Sequence, residues 1–596
     1  MRILNKFFGI VPPAFMILLI LACADHSDIQ NSGSGSSSTG NSGNYTAVIS
    51  LNGNTAEYSG ANVKITKSDY YGVIIEISNN GTYAVQGSLN HGFVAVSKKD
   101  LDVTIILNGA NINCKNYAAL VCLKKSNVTL VLADNTTNYL TDGGEDAKDG
   151  SYDFGYDDEE KPNAALLIRR DLTIRGSGKL IVKGNANNGI GSRANLRIEG
   201  GDISVNAAYN AIKGNDSVTI TGGSFNLVSG NDGIKTEETD DGLGAISISG
   251  STFVINSGRD SIQAGANLSI SSSAFTISTA GGSSVPVIND SAKGMKAGTD
   301  LIIHSGTFVI DSNDDCMHSD GNITINNGNF TLSSGDDAIH ADERLTVNGG
   351  TINILKCYEG LEAYDIDLNG GFIKIIASDD GINIAGGKDS SVNNPGGGWR
   401  PGEGGFGGGR PGGGAQVSII DGTLTITGGE YCIESGGDGL DSNGYIVMTG
   451  GTVVIFGPTS ASSPDVPIDY DRSFTMSDGL IAGLGNNGQM LQQPNSSASS
   501  GQYSFLAKFG NSPIPAGSLI CISSSSGTEI ITIRALGDTR SLVLCSPLLN
   551  KGTYKILAGG SHSGSVNALG LYQGGTYSGG SVIREFNISN MSTVIN

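Results

Sequence analysis

A repeat of about 22 residues runs from roughly residue 170 to residue 450, and it constrains the fold more than any other feature of the chain. Each copy contains two short strands with alternating apolar and polar residues, followed by one more apolar residue. Val218, Phe225 and Ile234 mark these three places in one copy. A unit of this size cannot enclose a core alone, but stacked copies can share one. The repeat therefore predicts an all-β fold, a right-handed parallel β-helix with about 22 residues per coil.

The apolar residue that follows the second strand forms a continuous column when the repeats are aligned. Stacking brings equivalent residues of neighbouring coils to about 4.8 Å. The predicted column is Ile190, Ile212, Ile234, Ile262, Met295, Met317, Ile339, Leu361, Ile382 and Leu440. The chain contains 89 glycines, and glycine costs about 1 kcal/mol per helical position relative to alanine. Long helices are therefore not expected.

The N-terminus has the pattern of an export signal. Arg2 and Lys6 precede a mostly apolar stretch that ends at Ala22, and Cys23 follows it. The last residues of this stretch resemble the lipobox of bacterial lipoproteins, which implies cleavage before Cys23 and lipidation of its thiol. An ordinary secretory signal is the alternative. We expect 1–22 to be a lipoprotein signal peptide, 23–44 a flexible Ser/Gly linker, and the protein to be exported and membrane-anchored at the cell surface or the periplasmic face.

The remaining chain is divided by composition. We expect the β-helix to span 45–490, with insertions at 134–163 and 386–415, and a small C-terminal β cap domain at 502–596. Seven cysteines follow Cys23, and they lack zinc-site spacing. A disulfide between Cys521 and Cys545 stays open. The formal net charge of −21 would repel a nucleic-acid backbone, so we expect no nucleic-acid partner. We also expect a monomer.

Acidic residues recur at the corner after the second strand of each repeat. Carboxylates stacked about 4.8 Å apart repel each other by about 3.5 kcal/mol at an effective dielectric near 20. Two explanations offset this cost: bonds from the local backbone N–H groups to Asp and Asn, which would form an Asx ladder, or bound calcium. No lysine lies in the two repeats that hold the adjacent doublets. The predicted calcium ligands are Asp314, Asp315, Asp336, Asp337, Asp379 and Asp380.

Two histidines stand in one column beside this corner. His318 and His340 could hold a transition metal together with Asp320 and Asp342. Two histidines at equivalent places arise more often from drift within a repeat than from metal binding.

Motifs for common hydrolases are missing, since the sequence contains neither GxSxG nor HExxH. A polysaccharide lyase needs a base near the sugar, and Lys235, Arg259 and Lys296 lie near the acidic corner. Two carboxylates of a glycosidase could not be singled out among so many. Trp399, in a Gly/Pro-rich loop, is the candidate for stacking against a sugar ring.

Three stretches carry a family resemblance: the segment 163–174, the repeated Gly-Gly-Ser-Phe…Asn-Asp-Gly-Ile pattern seen at 222–234, and the Gly-rich segment 570–580. Together they resemble the bacterial carbohydrate-binding β-helix lipoproteins that look like pectate lyases in fold. The resemblance covers about residues 45–590. It implies calcium within the helix and binding of plant cell-wall polysaccharides, including acidic ones, and it supplies no catalytic residues.

The predicted function is non-catalytic capture of polysaccharide at the cell surface with calcium assistance. A calcium-dependent polysaccharide lyase and a structural or adhesive solenoid are the alternatives.

Overall fold

A computed structural model describes residues 45–122, 124–143, 162–385, 420–494 and 501–596. Within these ranges all regular structure is β-strand, and no helix long and apolar enough to cross a membrane is found. The predicted signal peptide, the linker, Cys23, Trp399 and the insertion at 386–415 lie outside the described residues.

The strands are numbered in chain order. Those of the first part are β1 (Ala47–Gly53), β2 (Thr55–Gly60), β3 (Val63–Ser68), β4 (Gly72–Ile77), β5 (Gly81–Leu89), β6 (Gly92–Val96), β7 (Asp102–Asn113), β8 (Leu120–Cys122), β9 (Asn127–Leu132), β10 (Thr137–Thr141), β11 (Ala164–Ile168), β12 (Leu172–Gly176), β13 (Lys179–Gly184), β14 (Asn188–Ser192), β15 (Asn195–Ile198), β16 (Asp202–Ala207), β17 (Ile212–Gly214), β18 (Ser217–Ile220), β19 (Gly223–Ser229) and β20 (Ile234–Lys235). Those of the middle part are β21 (Ala245–Ser249), β22 (Ser251–Ser257), β23 (Ile262–Ala264), β24 (Leu268–Ser271), β25 (Ser273–Thr279), β26 (Met295–Ala297), β27 (Asp300–Ile303), β28 (Gly306–Ser312), β29 (Met317–Ser319), β30 (Asn322–Ile325), β31 (Asn329–Ser334), β32 (Ile339–Val347), β33 (Thr351–Cys357), β34 (Leu361–Leu368), β35 (Phe372–Ala377) and β36 (Ile382–Ile384). Those of the last part are β37 (Thr423–Ile426), β38 (Glu430–Ser435), β39 (Leu440–Ser442), β40 (Tyr445–Met448), β41 (Thr452–Phe456), β42 (Ser473–Met476), β43 (Leu480–Gly485), β44 (Ser504–Lys508), β45 (Leu519–Ser524), β46 (Glu529–Arg534), β47 (Ser541–Cys545), β48 (Gly552–His562), β49 (Ser565–Val566), β50 (Tyr572–Gln573), β51 (Tyr577–Ile588) and β52 (Ser592–Ile595).

Most of these strands belong to one large, mostly parallel sheet, which counts 46 strands among the described residues. From β10 to β29, each strand pairs in parallel with the strand three places further along the chain, as β13 does with β16 and β16 with β19. Every repeat therefore contributes three strands, and each is hydrogen-bonded to its counterpart in the next repeat. The all-β part of the predicted fold is confirmed.

The core lies between the strands and follows the repeat. The predicted apolar column is confirmed residue by residue, since Ile190 pairs with Ile212, Met295 with Met317, and so on to Leu440. All of its members are buried. A second column stacks phenylalanine rings, with centroids 4.5 to 5.4 Å apart from Phe225 to Phe330. Identical backbone geometry in every repeat thus produces continuous apolar columns.

The predicted insertion at 134–163 begins too early. Residues Thr137–Thr141 form β10, which pairs in parallel with β7 and β13. Asn138 is buried in this strand, and its Oδ1 accepts hydrogen bonds from the backbone N–H groups of Gly109 and Ala110, both 2.9 Å long. A buried asparagine interrupts the apolar alternation that marks a strand in the sequence, which explains the error.

The C-terminal segment is not a separate domain, because residues Tyr45–Asn596 form one compact unit. Strand β47 pairs antiparallel with β43 of the large sheet, and β44 pairs with β47 in turn. Strands β45, β46, β48 and β51 form a second, antiparallel sheet. Phe456 and Leu484 of the repeats share an apolar cluster with Phe505 and Leu544. Pairing between distant segments leaves no periodic signal in the sequence, so the repeat did not reveal it.

The described cysteines are all buried free thiols. Cys521 and Cys545 lie in different sheets, on β45 and β47, and the disulfide that the sequence left open is not formed.

Candidate functional site

The corner that precedes the third strand of each repeat carries a column of polar side chains, which we call the corner column. Its members are Asn188, Asn210, Asp232, Asp260, Lys293, Asp315, Asp337, Glu359, Asp380 and Asp438. From Asn188 to Asp337 these residues are buried, and the last three are half-buried. Polar groups in such a position require partners, because an unpaired buried polar group costs free energy.

The partners are backbone N–H groups of the following repeat. Oδ1 of Asn188 accepts a 3.1 Å bond from the N–H of Asn210, and the side chain of Asn210 does the same for Asp232. The same contact recurs at 3.1 Å from Asp315 to Asp337 and from Asp337 to Glu359. The ladder that the sequence predicted is therefore present in altered form, because these bonds link neighbouring repeats. At Asp314 a bond also closes within the corner, since Asp314 Oδ1 accepts a 2.9 Å bond from the N–H of Asp315.

A second column lies one residue beyond the inward apolar position, and we call it the outward column. Its members are Lys213, Lys235, Gln263, Lys296, His318, His340, Glu362, Asn383, Asp441 and Asp469. Strand register aligns these residues pair by pair, and a bridge between Leu440 and Ile468 extends the alignment to Asp469. The charge of this column changes from basic through histidine to acidic along the molecule.

Lys293 neutralises part of the predicted calcium site. Its Nζ lies 3.0 Å from Asp314 Oδ1 and 2.5 Å from Asp315 Oδ2, and its side chain is 1% exposed. The two repeats that hold the doublets contain no lysine, but Lys293 reaches these carboxylates from the preceding repeat. Calcium at Asp314 and Asp315 stays a prediction, but an ammonium group already balances one of their two charges.

Electrostatics differ within this group. Burial opposes ionisation of Asp315, but Lys293 and His318 together hold the pKa of Asp315 well below its ordinary value. Burial, reinforced by Asp337 and Asp315, raises the pKa of Asp336 to about 8. Burial and the neighbouring Asp315 also raise the pKa of Asp314, so Asp314 and Asp336 are the carboxylates of this group that lack sufficient positive charge.

The two histidine rings are neighbours, with centroids 5.0 Å apart and ring planes tilted by 58°. His318 contacts a carboxylate with each ring nitrogen, Asp315 at 3.1 Å from Nδ1 and Asp320 at 3.1 Å from Nε2. His340 Nδ1 lies 3.4 Å from Asp337 Oδ2 and 3.2 Å from Glu362 Oε2. Burial favours the neutral imidazole, but the neighbouring carboxylates raise the pKa of His340 to about 9.

Glutamates continue the columns in the next repeat. Burial and the nearby Asp337 raise the pKa of Glu359 well above its ordinary value and that of Glu362 to about 11. The amide nitrogen of Asn383 donates a 2.8 Å hydrogen bond to Glu359 Oε2. The Oδ1 atom of Asn383 is buried and accepts no hydrogen bond from the described residues.

The acidic end of the columns holds a further cluster. Ligand oxygens of Asp438, Asp441 and Asp469 lie within 4.8 Å of one another. Burial, reinforced by neighbouring carboxylates, raises the pKa of Asp380 to about 8, and burial is also the main cause of raised values of about 7 for Asp438 and about 6 for Asp441. The cluster offers oxygen ligands alone, which suits a hard cation such as calcium.

A surface cleft of about 310 Å³ lies at the basic end of the outward column. Lys235, Gln263 and Lys296 line it from the column itself, and Asp320 and Glu237 lie at its walls. Lys235 Nζ forms an ion pair with Asp232 at 2.9 Å. The cleft therefore combines two cationic groups with amide and hydroxyl groups, which are the groups that bind sugar hydroxyls and carboxylates.

The sequence-predicted ligands divide into three groups in the structure, and Asp337 has its ligand oxygens beside His340 and Glu362. Asp314, Asp315 and Asp336 have ligand oxygens within 4.8 Å of one another. Asp380 lies at the acidic end, where the pKa of its side chain responds to Asp379, Asp438 and Asp441. Asp469 is absent from the predicted set, because an insertion separates it from Asp441 by more than one repeat length. Trp399 lies outside the described residues.

Fold and site together define an all-β protein with a large, mostly parallel sheet and a graded polar column beside it. The family profile described as "Carbohydrate-binding domain-containing protein" matches residues 71–338. A carbohydrate-binding domain-containing protein of Acetivibrio thermocellus is 36% identical over 134 residues, which is 22% of this chain and 45% of that protein. The chain thus spans about half the length of this curated relative.

One solved structure is also similar, described as "Structure of the polysaccharide lyase-like protein from C. thermocellum, Gadolinium derivative". It is 30% identical, with a TM-score of 0.38, and the match covers 43% of this chain and 96% of that chain.

Proposed function

We propose that this protein is a non-catalytic carbohydrate-binding protein that captures acidic polysaccharide at the cell surface with the help of calcium. The observation that carries the proposal is the cleft at Lys235, Gln263 and Lys296. The matching carbohydrate-binding family profile covers the residues that line this cleft.

The body that presents the cleft is, in this proposal, a right-handed parallel β-helix. Parallel pairing of each strand with the third strand further on supports this interpretation, as do three strands per repeat of about 22 residues. Connections between parallel strands are right-handed in nearly all known cases. Successive repeats would then present a long, regular groove to an extended polymer.

The size and chemistry of the cleft suit a short stretch of uronic acid polymer. Ligand pockets usually start at about 300 Å³, and the cleft measures about 310 Å³. Lys296 would pair with a uronate carboxylate, while Gln263 and the exposed Thr239 would bond to hydroxyls. A protein with a net charge of −21 needs such local positive charge to hold an acidic polymer.

Binding is favoured over a lyase reaction by the state of Lys235. Although burial opposes its charge, the neighbouring Asp232 raises the pKa of Lys235 above its ordinary value. A lysine of this kind stays protonated and cannot accept the proton that a lyase base must remove.

Calcium fits the acidic end better than the predicted Asp314 and Asp315. Asp438, Asp441 and Asp469 would hold the ion, with Asp379 and Asp380 nearby, since they supply oxygen ligands and their pKa values indicate unbalanced charge. When bound, the ion would supply positive charge that compensates these carboxylates and attracts uronate groups.

The test is a binding assay of the full chain with polygalacturonate, with and without calcium, followed by ultraviolet detection of unsaturated product. We expect co-precipitation without product, and at least about ten-fold weaker binding by Lys296→Met because a desolvated charge pair is lost. Lys183→Met, an exposed lysine outside the cleft, is the matched control and should bind normally. Product formation would favour the lyase, and neither binding nor product would favour a structural or adhesive role.

Export by a lipid anchor is a separate part of the proposal. It rests on the basic N-terminus, the apolar stretch and Cys23. Cys23→Ala should move the protein from the membrane fraction to the soluble fraction of cells that express the full chain. Membrane retention and unchanged processing of this variant would contradict lipidation.

A further inference from the structure

We propose that Asp337, His340, Glu362 and Asn383 form a site for a divalent transition-metal cation such as Co²⁺ or Zn²⁺. This site is distinct from the oxygen-only cluster assigned to calcium and from the sugar cleft. The four residues lie on three consecutive repeats, because His340 pairs in register with Glu362 and Glu362 with Asn383.

The potential ligand atoms lie close to one another. His340 Nδ1 lies 3.4 Å from Asp337 Oδ2 and 3.2 Å from Glu362 Oε2, and potential ligand atoms of the three residues lie within 4.8 Å of one another. Ligands at about 2.1 Å from a tetrahedral cation are separated by about 3.4 Å. The observed distances therefore leave a position from which one cation reaches all three groups.

The position of the proton on His340 also favours a metal site. One ring nitrogen faces two carboxylates, and a single N–H cannot satisfy both at full strength. On the other side of the ring, Nε2 lies 3.7 Å from Asp342 Oδ1. A metal-binding histidine commonly directs its remaining N–H to a carboxylate. Asp342 would thus keep the proton on Nε2 and leave the Nδ1 lone pair directed at the two carboxylates.

The amide of Asn383 supports the site independently of the charged groups. Asn383 is 9% exposed, and its Oδ1 is buried without a hydrogen-bond partner. Its amide nitrogen donates to Glu359 Oε2, which turns the amide towards the acidic side chains of the neighbouring repeat. An amide oxygen of this kind is a ready metal ligand, and a cation would remove the cost of leaving it unpaired.

The ligand set determines the class of cation. Imidazole suits zinc, cobalt, nickel and related ions, whereas calcium prefers oxygen ligands alone. Lys293 lies two repeats before Asp337 and three before Glu359, so its ammonium serves the other end of the acidic group. Because its ligands come from three repeats, the cation would hold these repeats together.

The experiment is a titration of the metal-free full chain with Co²⁺, followed by its visible absorption and by calorimetry, with calcium present in excess. We expect one tightly bound Co²⁺ with the visible bands of a nitrogen-containing ligand set, and a higher melting temperature. His340→Gln should weaken this binding at least ten-fold. His318→Gln is the matched control, because the ring nitrogens of His318 contact Asp315 and Asp320 rather than Asp337 or Glu362, and it should bind Co²⁺ within about three-fold of wild type.

Circular dichroism of each variant checks folding. If His340→Gln does not fold, Glu362→Gln decides, since it keeps the shape of the side chain and removes a charged ligand. A ten-fold loss in Glu362→Gln supports the site. Unchanged Co²⁺ affinity in a folded His340→Gln or Glu362→Gln protein, or no Co²⁺ binding by wild type, would overturn it.

Discussion

The outward column has the same backbone in its two halves but opposite chemistry. In the first half, Lys213 and Lys235 pair with Glu237 at 2.6 Å and Asp232 at 2.9 Å. In the second half, Glu362, Asp441 and Asp469 face further carboxylates, and burial and mutual repulsion raise their pKa values. The repeat thus determines where polar groups lie. The particular residue at each of these places determines whether its charge is balanced within the chain.

This difference assigns different tasks to the halves. The first half supplies its own cations and leaves Lys296 in a cleft that can receive an anionic sugar. The second half brings carboxylates close together. Folding of this half therefore costs free energy unless protons or a metal ion compensate the negative charge. We therefore expect the acidic half to need a bound cation and the basic half to be stable without one.

The largest expected effect comes from removing the lysine that balances Asp314 and Asp315. Lys293→Met leaves two buried carboxylates without their ammonium partner and should lower the free energy of unfolding by about 3–5 kcal/mol. Lys296→Met, in the same repeat but half-buried, should cost less than about 1 kcal/mol. Urea unfolding followed by circular dichroism measures both. Equal losses would show that Lys293 does not balance the buried pair.

The second effect is a pH dependence to which the acidic half contributes through three carboxyl groups. Folding raises the pKa values of Asp380, Asp438 and Asp441 to about 8, 7 and 6. The folded state therefore binds more protons than the unfolded state above about pH 4, and stability falls as pH rises towards 8. The loss should be on the order of 1 kcal/mol for each group.

Melting temperatures at pH 5 and pH 8 in a chelator test this dependence. Calcium should flatten the curve, because it replaces the protons that the carboxylates otherwise need. Asp441→Asn should also reduce the slope, whereas Asp202→Asn, which removes a surface partner of Lys179 outside the acidic half, should not flatten the curve. A melting temperature that rises between pH 5 and pH 8 in chelator would contradict the account.

The smallest effect concerns the ladder that both halves share. Asn210 accepts bonds from the N–H of Asp232 at 3.1 Å and from Asn231 Nδ2 at 2.8 Å. Asn210→Ala should cost about 1 kcal/mol, because a buried donor loses its acceptor. Asn226→Ala, exposed on β19, should stay within about 0.5 kcal/mol of wild type. Thermal unfolding of the two variants measures the difference. Equal stability of the two variants would show that the ladder does not stabilise the fold.

The repeat allowed most of the body to be predicted. The column from Ile190 to Leu440 follows from periodicity alone, because apolar residues at equivalent places must share one core. The predicted corner also contains the polar residues that line the site. Contacts between repeats were harder to predict, since Lys293 is separated from its predecessor Asp260 by an inserted loop and its reach depends on the fold around it.

Features without periodicity escaped prediction. The unpartnered oxygen of Asn383 depends on the orientation of one amide, and the pairing of β43 with β47 joins segments about 60 residues apart. Asp469 stands 28 residues after Asp441 in the sequence, so a strict repeat of 22 does not align them. Local composition cannot encode such contacts, because they arise only when the repeats are stacked.

Calcium titration of the metal-free full chain by calorimetry, at pH 8, tests whether the acidic half binds a cation. We expect calcium binding by wild type, at least a ten-fold loss in Asp438→Asn with Asp441→Asn, and near-normal binding in Asp314→Asn with Asp315→Asn. Circular dichroism confirms that the variants are folded. Calcium binding that survives the first pair of substitutions and disappears with the second would contradict the account, because the cation would then belong to the carboxylates that Lys293 already serves.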